Sequence, residues 1–252
     1  MIRFVHGLEV LDLPAAQAGR PELLLLHEGL GSVSMWRDFP ERLAQATGCR
    51  TVAYSRRGFG RSEPRTAPYG VRFMHEEALE TLPALREALG IVRPVLVGHS
   101  TGASMSLIHA GANRWPVAGV VAMAPITFIE ASNIASIERA REIWNTTGWR
   151  SRLARHHDDV DMAWSAWNDT WLDPAFRAWT IEEDLRRVAV PVLAILGTGD
   201  SYSTPAQVEY VRRTAAALPR FESLLLEDCG HAPHRDQPDA VLQAVSRFVG
   251  TV

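Results

Sequence analysis

The fold of this chain is decided by the stretch Val95-Leu96-Val97-Gly98-His99-Ser100-Thr101-Gly102-Ala103-Ser104. Three apolar residues of strand length lead into a serine flanked by glycines, and the residues that follow have helical spacing. A serine with a glycine two residues away on each side, between a strand and a helix, is the pattern of a nucleophile elbow. Gly98 and Gly102 leave room for the sharp turn that holds the Ser100 hydroxyl clear of the sheet. The stretch therefore predicts a catalytic nucleophile at Ser100.

Apolar runs of strand length recur on both sides of this elbow and alternate with helical stretches. This alternation is typical of a mostly parallel sheet with helices on both faces. The opening segment, residues 3–13, predicts an antiparallel hairpin on the sheet edge, with Gly7 at its turn. The predicted buried strands are residues 23–26, 51–54, 95–97, 117–123, 192–196 and 223–226, and the predicted helices are residues 36–46, 71–89, 100–112, 205–217 and 237–248.

The alternation is interrupted once, between residues 126 and 187. A simple crossover needs far fewer residues, so this interval predicts an inserted lid of short helices on one α/β core formed by residues 1–125 and 188–252. The lid holds six of the eight tryptophans of the chain, and aromatic walls are typical of small-molecule pockets. We expect Trp144, Trp164 and Trp167 to contact the substrate, with anchoring of the lid to the core as the alternative for each ring.

The composition excludes several chemistries, because all 26 basic residues of the 252-residue chain are arginines. Schiff-base enzymes, P-loop proteins, Ser–Lys hydrolases and protein kinases all need a lysine amine, so the chain belongs to none of these classes. The net charge of -3 does not provide the excess of positive charge that favours binding to nucleic acid or to an anionic membrane surface. The two cysteines, Cys49 and Cys229, lie far apart in the sequence, so they suggest neither a disulfide framework nor a cysteine-rich zinc site.

These totals, together with the lack of a signal-peptide pattern or an apolar run of transmembrane length, lead to several expectations about the setting of the protein. We expect a cytoplasmic monomer or homodimer. Its partner is expected to be a small-molecule substrate, with no nucleic acid and no membrane. No cofactor and no metal ion are expected.

The base that activates Ser100 is expected to be a histidine, because a serine hydroxyl is a poor nucleophile by itself and lysine is absent. Of the nine histidines, His231 is favoured, since it follows a predicted strand and opens the loop before the last helix. His234 is the nearest rival. His99 is expected to point away from the neighbouring Ser100, and His109 is expected to have a core or surface role. His156 and His157, which adjoin two aspartates in the lid, are expected to lie on a solvated face, with a metal site as the weaker alternative.

A carboxylate must orient this imidazole and stabilise its protonated form. Asp200 is favoured because it lies in the loop directly after a buried strand, and Glu130 is the second choice. The chain order Ser100, Asp200, His231 is the order that accompanies the elbow motif.

An oxyanion hole requires N–H donors aimed at the developing negative charge. One is expected from the backbone of Thr101, the residue after the nucleophile. The other is expected from the loop after the first long strand, where either Gly29 or Leu30 can supply it. An ordinary strand-to-helix turn would also contain these glycines, so this loop is informative only together with the elbow.

Together these motifs resemble those of the α/β-hydrolase superfamily over essentially the full length of the chain. Residues 54–62 are similar to the family's D-x-R-G-x-G-x-S loop, with Ser55 where an aspartate is usual. The resemblance implies an α/β-hydrolase fold with about eight strands, a helical cap inserted after the sixth, and a triad of Ser100, Asp200 and His231.

The first loop departs from the family pattern, because His27 is followed by Glu28 rather than by glycine. Equal spacing from His27 to Trp36 favours Gly29 as the oxyanion donor, whereas an inserted Glu28 would shift that role to Leu30. A carboxylate beside the oxyanion hole would oppose negative charge there. We therefore expect Glu28 to point away and to pair with an arginine or cap a turn.

The nucleophile also narrows the reaction. Epoxide hydrolases and dehalogenases of this superfamily resemble one another in using an aspartate there, so Ser100 favours an acyl-enzyme route instead. We expect a carboxylic-ester hydrolase for a small to medium apolar or aromatic substrate. The alternatives are a C–C bond hydrolase of aromatic ring-cleavage products, a thioesterase or a lactonase. An alternative of another class is a ligand receptor that hydrolyses weakly or not at all.

Overall fold

The computed structural model describes all 252 residues, Met1–Val252, and its centre is a single eight-stranded sheet. The strands are β1 (Ile2–Val5), β2 (Leu8–Leu13), β3 (Leu23–Leu26), β4 (Thr51–Tyr54), β5 (Val95–His99), β6 (Gly119–Met123), β7 (Val192–Gly197) and β8 (Phe221–Leu226). Their order across the sheet is β1-β2-β4-β3-β5-β6-β7-β8. Only β2 runs against the others, pairing antiparallel with β1 and β4. The predicted mostly parallel sheet with a hairpin on its edge is confirmed.

Eleven α-helices connect and cover these strands. They are α1 (Phe39–Thr47), α2 (Phe73–Glu76), α3 (Leu82–Leu89), α4 (Thr101–Gly111), α5 (Ala131–Ile143), α6 (Trp149–Leu153), α7 (Val160–Leu172), α8 (Glu182–Leu185), α9 (Pro205–Thr214), α10 (Pro233–Asp236) and α11 (Pro238–Val249). None of them is long and apolar enough to traverse a lipid bilayer.

Two of the predicted helices differ from their expected ranges, one by an interruption and one by a later start. The helix expected over residues 71–89 consists of α2, a π-helical turn at Glu77–Thr81, and α3. Pro83 has no N–H to donate to Leu79, so the ordinary α-helical ladder is broken there. The helix expected over residues 36–46 begins only at Phe39, because Arg37 adopts a left-handed backbone with φ 55°.

Strand β3 shows how the sheet buries both of its faces. Alternate side chains of a strand point to opposite faces, and here Leu24 and Leu26 join one buried cluster while Leu23 and Leu25 join the other. Residues of α1 and α11 complete the second cluster. Residues of α3, α4 and the helices between β6 and β7 complete the first.

The interval between β6 and β7 contains α5 to α8. Its two ends meet, because Phe128 forms an isolated β-bridge with Thr180 and the Ile181 N–H donates to the Thr127 carbonyl at 2.9 Å. The chain therefore leaves and re-enters the core at one place. We call residues 126–187 the cap.

Candidate active site

The turn between β5 and α4 holds Ser100 in a strained backbone conformation, with φ 53° and ψ -117°. A Cβ added to Gly98 would lie 2.3 Å from the Gly102 carbonyl oxygen, and one added to Gly102 would lie 2.0 Å from the Leu26 carbonyl oxygen. Only glycine fits at these two positions. The backbone geometry is thus that of a nucleophile elbow, with Ser100 at its apex.

His231 and Asp200 meet beyond the ends of β8 and β7. The His231 Nδ1–H donates to the Asp200 carboxylate, with distances of 2.9 Å to Oδ1 and 2.8 Å to Oδ2. The carboxylate side chain is fully buried and also accepts the backbone N–H groups of Tyr202 and Ser203. These bonds fix the carboxylate and the imidazole tautomer, so Nε2 is the nitrogen that can take a proton.

Ser100 and His231 line the same cavity, whose volume is about 200 Å³. The cap supplies much of its wall, and most of the lining is apolar. The cap residues that line it are Ile126, Asn133, Ile137, Trp149, Leu153, Trp167 and Trp171. The structure therefore brings the predicted nucleophile and base together under the cap.

The loop of residues 27–31, which we call the oxyanion loop after its predicted role, also lies at this cavity. Gly29 and Leu30 both line it, and their backbone N–H groups donate no hydrogen bond within the protein. Thr101 is the first residue of α4, where a backbone N–H has no acceptor inside the helix. Three donors are thus free near Ser100, which is what an oxyanion hole requires.

Glu28 does not pair with an arginine, and this expectation from the sequence is wrong. Glu28 is among the residues that line the cavity, and its Oε2 lies 3.4 Å from Nδ1 of the buried His99. Burial alone would raise the pKa of Glu28, but the neighbouring His99, His27 and His234 rings hold it below its usual range. On its other edge, the His99 ring donates from Nε2 to the His231 carbonyl at 2.6 Å. The carboxylate therefore has a buried histidine ring beside it where an arginine was expected.

Residues 23–244 match the model of the alpha/beta hydrolase family. The chain belongs to this family.

Individual relatives of this α/β hydrolase are distant but match it over most of its length. It is 22% identical to the mouse (Mus musculus) sn-1-specific diacylglycerol lipase ABHD11, over 94% of this chain and 84% of that protein. It is 25% identical to a proline iminopeptidase of Lactobacillus helveticus, over 91% of this chain and 90% of that protein. The solved enol-lactonase from Burkholderia xenovorans LB400 superposes with a TM-score of 0.72 at 23% identity, covering 99% and 100% of the two chains.

The remaining candidates from the sequence have other partners in this α/β hydrolase. Glu130, the second choice for the acid, caps α5 and accepts hydrogen bonds from Thr204 and Gln207. His234 packs against Trp36 and does not line the cavity. His109 is buried and stacks on the half-buried ring of Trp115.

The two cap histidines attach the cap to the core, and the expected solvated face is wrong for His157, which is buried. His157 accepts the Gly60 N–H at Nδ1 and donates from Nε2 to the Leu30 carbonyl, each at 3.0 Å. Burial lowers the pKa of His157 to about 4, with the Leu30 bond opposing the shift. His156 bonds the Ser34 hydroxyl. No three His, Cys, Asp or Glu side chains are grouped so that they could hold a metal ion.

The cap tryptophans require a correction. Trp167 lines the cavity as expected, and a Cβ on Gly29 would lie 2.3 Å from its ring. Trp144 and Trp164 do not line it; their rings stack on each other with centroids 3.9 Å apart. Trp149 and Trp171 line it instead. Helical spacing within α7 does not separate these rings, because Trp164 and Trp171 both lie about one turn from Trp167.

The substitution of serine for the family's aspartate at position 55 is compensated by Glu9. The buried Ser55 hydroxyl donates to Glu9 Oε2 at 2.7 Å and accepts the Val33 N–H at 2.8 Å. The same carboxylate oxygen accepts the Arg61 N–H. An acidic group is thus present at this loop, although it comes from β2.

Proposed function

We propose that this α/β hydrolase cleaves the carboxylic ester of a small apolar or aromatic substrate through an acyl-enzyme on Ser100. The observation that carries the proposal is the hydrogen-bonded pair of His231 and Asp200 at a cavity that Ser100 also lines. A buried carboxylate on Nδ1 leaves Nε2 to act as the general base.

The reaction follows from these groups. Ser100 Oγ attacks the ester carbonyl carbon while His231 Nε2 takes the hydroxyl proton, and the carbonyl oxygen becomes an oxyanion. The N–H groups of Thr101 and of Gly29 or Leu30 stabilise that charge. His231 then returns the proton to the leaving alcohol. Water, deprotonated by the same imidazole, attacks the acyl-enzyme and releases the carboxylic acid.

The size and lining of the cavity support the substrate class. Its volume of about 200 Å³ lies below the usual range for drug-sized ligands, which begins at about 300 Å³. Its walls are mostly apolar, with the Trp149, Trp167 and Trp171 rings on the cap side. These features favour a short acyl chain or a single aromatic ring.

The names of the relatives support a hydrolase but differ in the bond that is cleaved. A diacylglycerol lipase and an enol-lactonase carry names that denote cleavage of a carboxylic ester or lactone, whereas the iminopeptidase carries the name of a peptidase. We infer an ester for this chain because a serine nucleophile and a small apolar cavity suit a compact uncharged ester.

The test is a panel of p-nitrophenyl esters from acetyl to octanoyl, with matched thioesters, lactones and a C–C ring-cleavage product. We expect turnover of the short esters, which disappears in Ser100→Ala, and labelling of Ser100 by a fluorophosphonate probe. Ser165→Ala, an exposed serine on α7, is the matched control. Full activity of Ser100→Ala would remove the acyl-enzyme route, and cleavage of lactones or C–C bonds alone would replace the ester.

A further inference from the structure

We propose that Arg56 is a positioning residue for the oxyanion hole, which it organises from behind by holding the carbonyl groups of the oxyanion loop. This inference rests on the proposed function, because it concerns the same developing oxyanion. It adds a residue that does not touch the cavity and that the motif around the loop does not single out.

The Arg56 guanidinium binds three consecutive carbonyl groups. Nη1 donates to the His27 oxygen at 2.7 Å, and Nη2 donates to the oxygens of Glu28 at 2.8 Å and Gly29 at 3.2 Å. The Arg56 backbone N–H also donates to His27 Nε2 at 3.0 Å. One residue thus fixes the loop through both its side chain and its backbone.

These bonds set the direction of the opposite N–H groups. The chain has no cis peptide bond, and in a trans peptide the C=O and N–H groups point in opposite directions. Carbonyls of Glu28 and Gly29 that face Arg56 therefore turn the N–H groups of Gly29 and Leu30 away from it. Consecutive N–H groups on one side of a backbone form an anion-binding concavity. Gly29 and Leu30 line the cavity, so that concavity opens on the side of Ser100.

The charge of Arg56 has no carboxylate partner to neutralise it. The residue is 1% exposed, its Nε–H has no acceptor, and its guanidinium lies over the Phe59 ring at 4.7 Å. The nearby Glu77 has a raised pKa because it is buried, with the Arg56 charge opposing that shift. A buried unpaired cation is costly to the fold. Here it faces the negative ends of peptide dipoles, which favours an anion at their positive ends.

The experiment compares Arg56→Met with Arg57→Met. Arg57 is the adjacent arginine, but it is partly exposed and pairs with Glu63, so its substitution is a matched control. We expect Arg56→Met to lower kcat about 100-fold with KM nearly unchanged, which is the loss typical of a missing oxyanion donor. A boronic acid that mimics the tetrahedral intermediate should lose affinity in parallel with kcat. Arg57→Met should retain kcat, KM and the boronic acid affinity.

A second set of variants separates positioning from folding. Arg56→Lys keeps the charge but replaces the planar fork, whose two Nη atoms reach the three carbonyls, by a single nitrogen, so it should retain a native circular dichroism spectrum and still lose kcat. Added guanidinium at low concentration should restore part of the activity of Arg56→Gly, and urea should not. Unchanged kcat in Arg56→Lys and Arg56→Met would overturn the inference. The inference would also be overturned if these variants lost affinity for the substrate and for the boronic acid to the same extent.

The two proposals fail in different ways. If wild-type turnover is absent or survives Ser100→Ala, the proposed function is wrong. If wild-type turnover depends on Ser100 but not on Arg56, only the inference about Arg56 is wrong.

Discussion

The two sides of the cavity differ in what fixes their residues. On the side of the proposed triad, which we call the triad side, Ser100, Asp200 and His231 each follow a strand, namely β5, β7 and β8. Parallel strands end at the same edge of a sheet, so topology alone brings these loops together. The oxyanion loop also follows a strand, but its shape is held by side chains from distant loops. Arg56 and His157 bind its carbonyl groups.

The difference shows which parts of a site tolerate change. On the triad side, a substitution removes a chemical group from a backbone that strand pairing holds in place. On the oxyanion side, a substitution can leave every cavity-lining residue present and still misplace the N–H groups. Substitutions on the two sides should therefore differ both in the mechanism by which they lower activity and in the size of the loss.

The largest effect within this comparison is expected from Asp200→Asn. The amide keeps the size of the carboxylate but would favour the other imidazole tautomer, so we expect kcat to fall about 10⁴-fold. Steady-state kinetics with the best ester of the panel would measure it. Glu130→Gln is the matched control, because this carboxylate caps α5 and should leave kcat unchanged. A loss in Glu130→Gln as large as in Asp200→Asn would reassign the acid of the triad.

The sequence predicts the residues of the triad side better than the contacts that hold the oxyanion loop. Apolar runs and the elbow glycines reveal the parallel strands, and strand ends indicate Ser100, Asp200 and His231. Nothing in local spacing indicates that the guanidinium of Arg56 meets the carbonyls of residues 27–29, or that a cap histidine reaches Leu30. These contacts depend on how long loops pack. The partner of Glu28 was mispredicted for the same reason.

The second prediction concerns His157, which joins the cap to the oxyanion loop. Its folded pKa of about 4 lies below the ordinary value of 6.5, so the folded protein binds fewer protons than the unfolded chain between these values. The resulting stability is fully present above pH 6.5 and is lost as pH falls toward 4. It amounts to about 3 kcal/mol at most, from about 1.4 kcal/mol per pKa unit.

We therefore expect His157→Gln to be less stable than the wild type at neutral pH, with a difference that narrows as pH falls. Urea unfolding at several pH values would measure it. His6→Asn is the control, because His6 is exposed in the turn before β2 and asparagine tolerates its left-handed backbone. A difference that stays constant with pH would show that His157 contributes through packing alone.

The third prediction concerns the charge of Glu28. Because its pKa lies below the usual range, the carboxylate is ionised at neutral pH and should repel substrates that carry a carboxylate. We expect Glu28→Gln to raise kcat/KM for an anionic ester about tenfold, which is about 1.4 kcal/mol. A neutral ester of equal size should change little. Glu28→Gln that abolishes turnover of both esters would give the carboxylate a part in the reaction.

The smallest effect is expected from the cap tryptophans, where Trp167→Leu can be compared with Trp144→Leu. Trp167 lines the cavity and touches Gly29, whereas Trp144 packs on Trp164 behind it. Loss of one aromatic contact of about 1 kcal/mol should raise KM for an aromatic ester about fivefold in Trp167→Leu. In Trp144→Leu, KM should stay unchanged while thermal stability falls, because a stacked ring pair is lost from the cap. Equal changes in KM would mean that the cap acts as one rigid wall, and the distinction between lining and supporting rings would then have no consequence for binding.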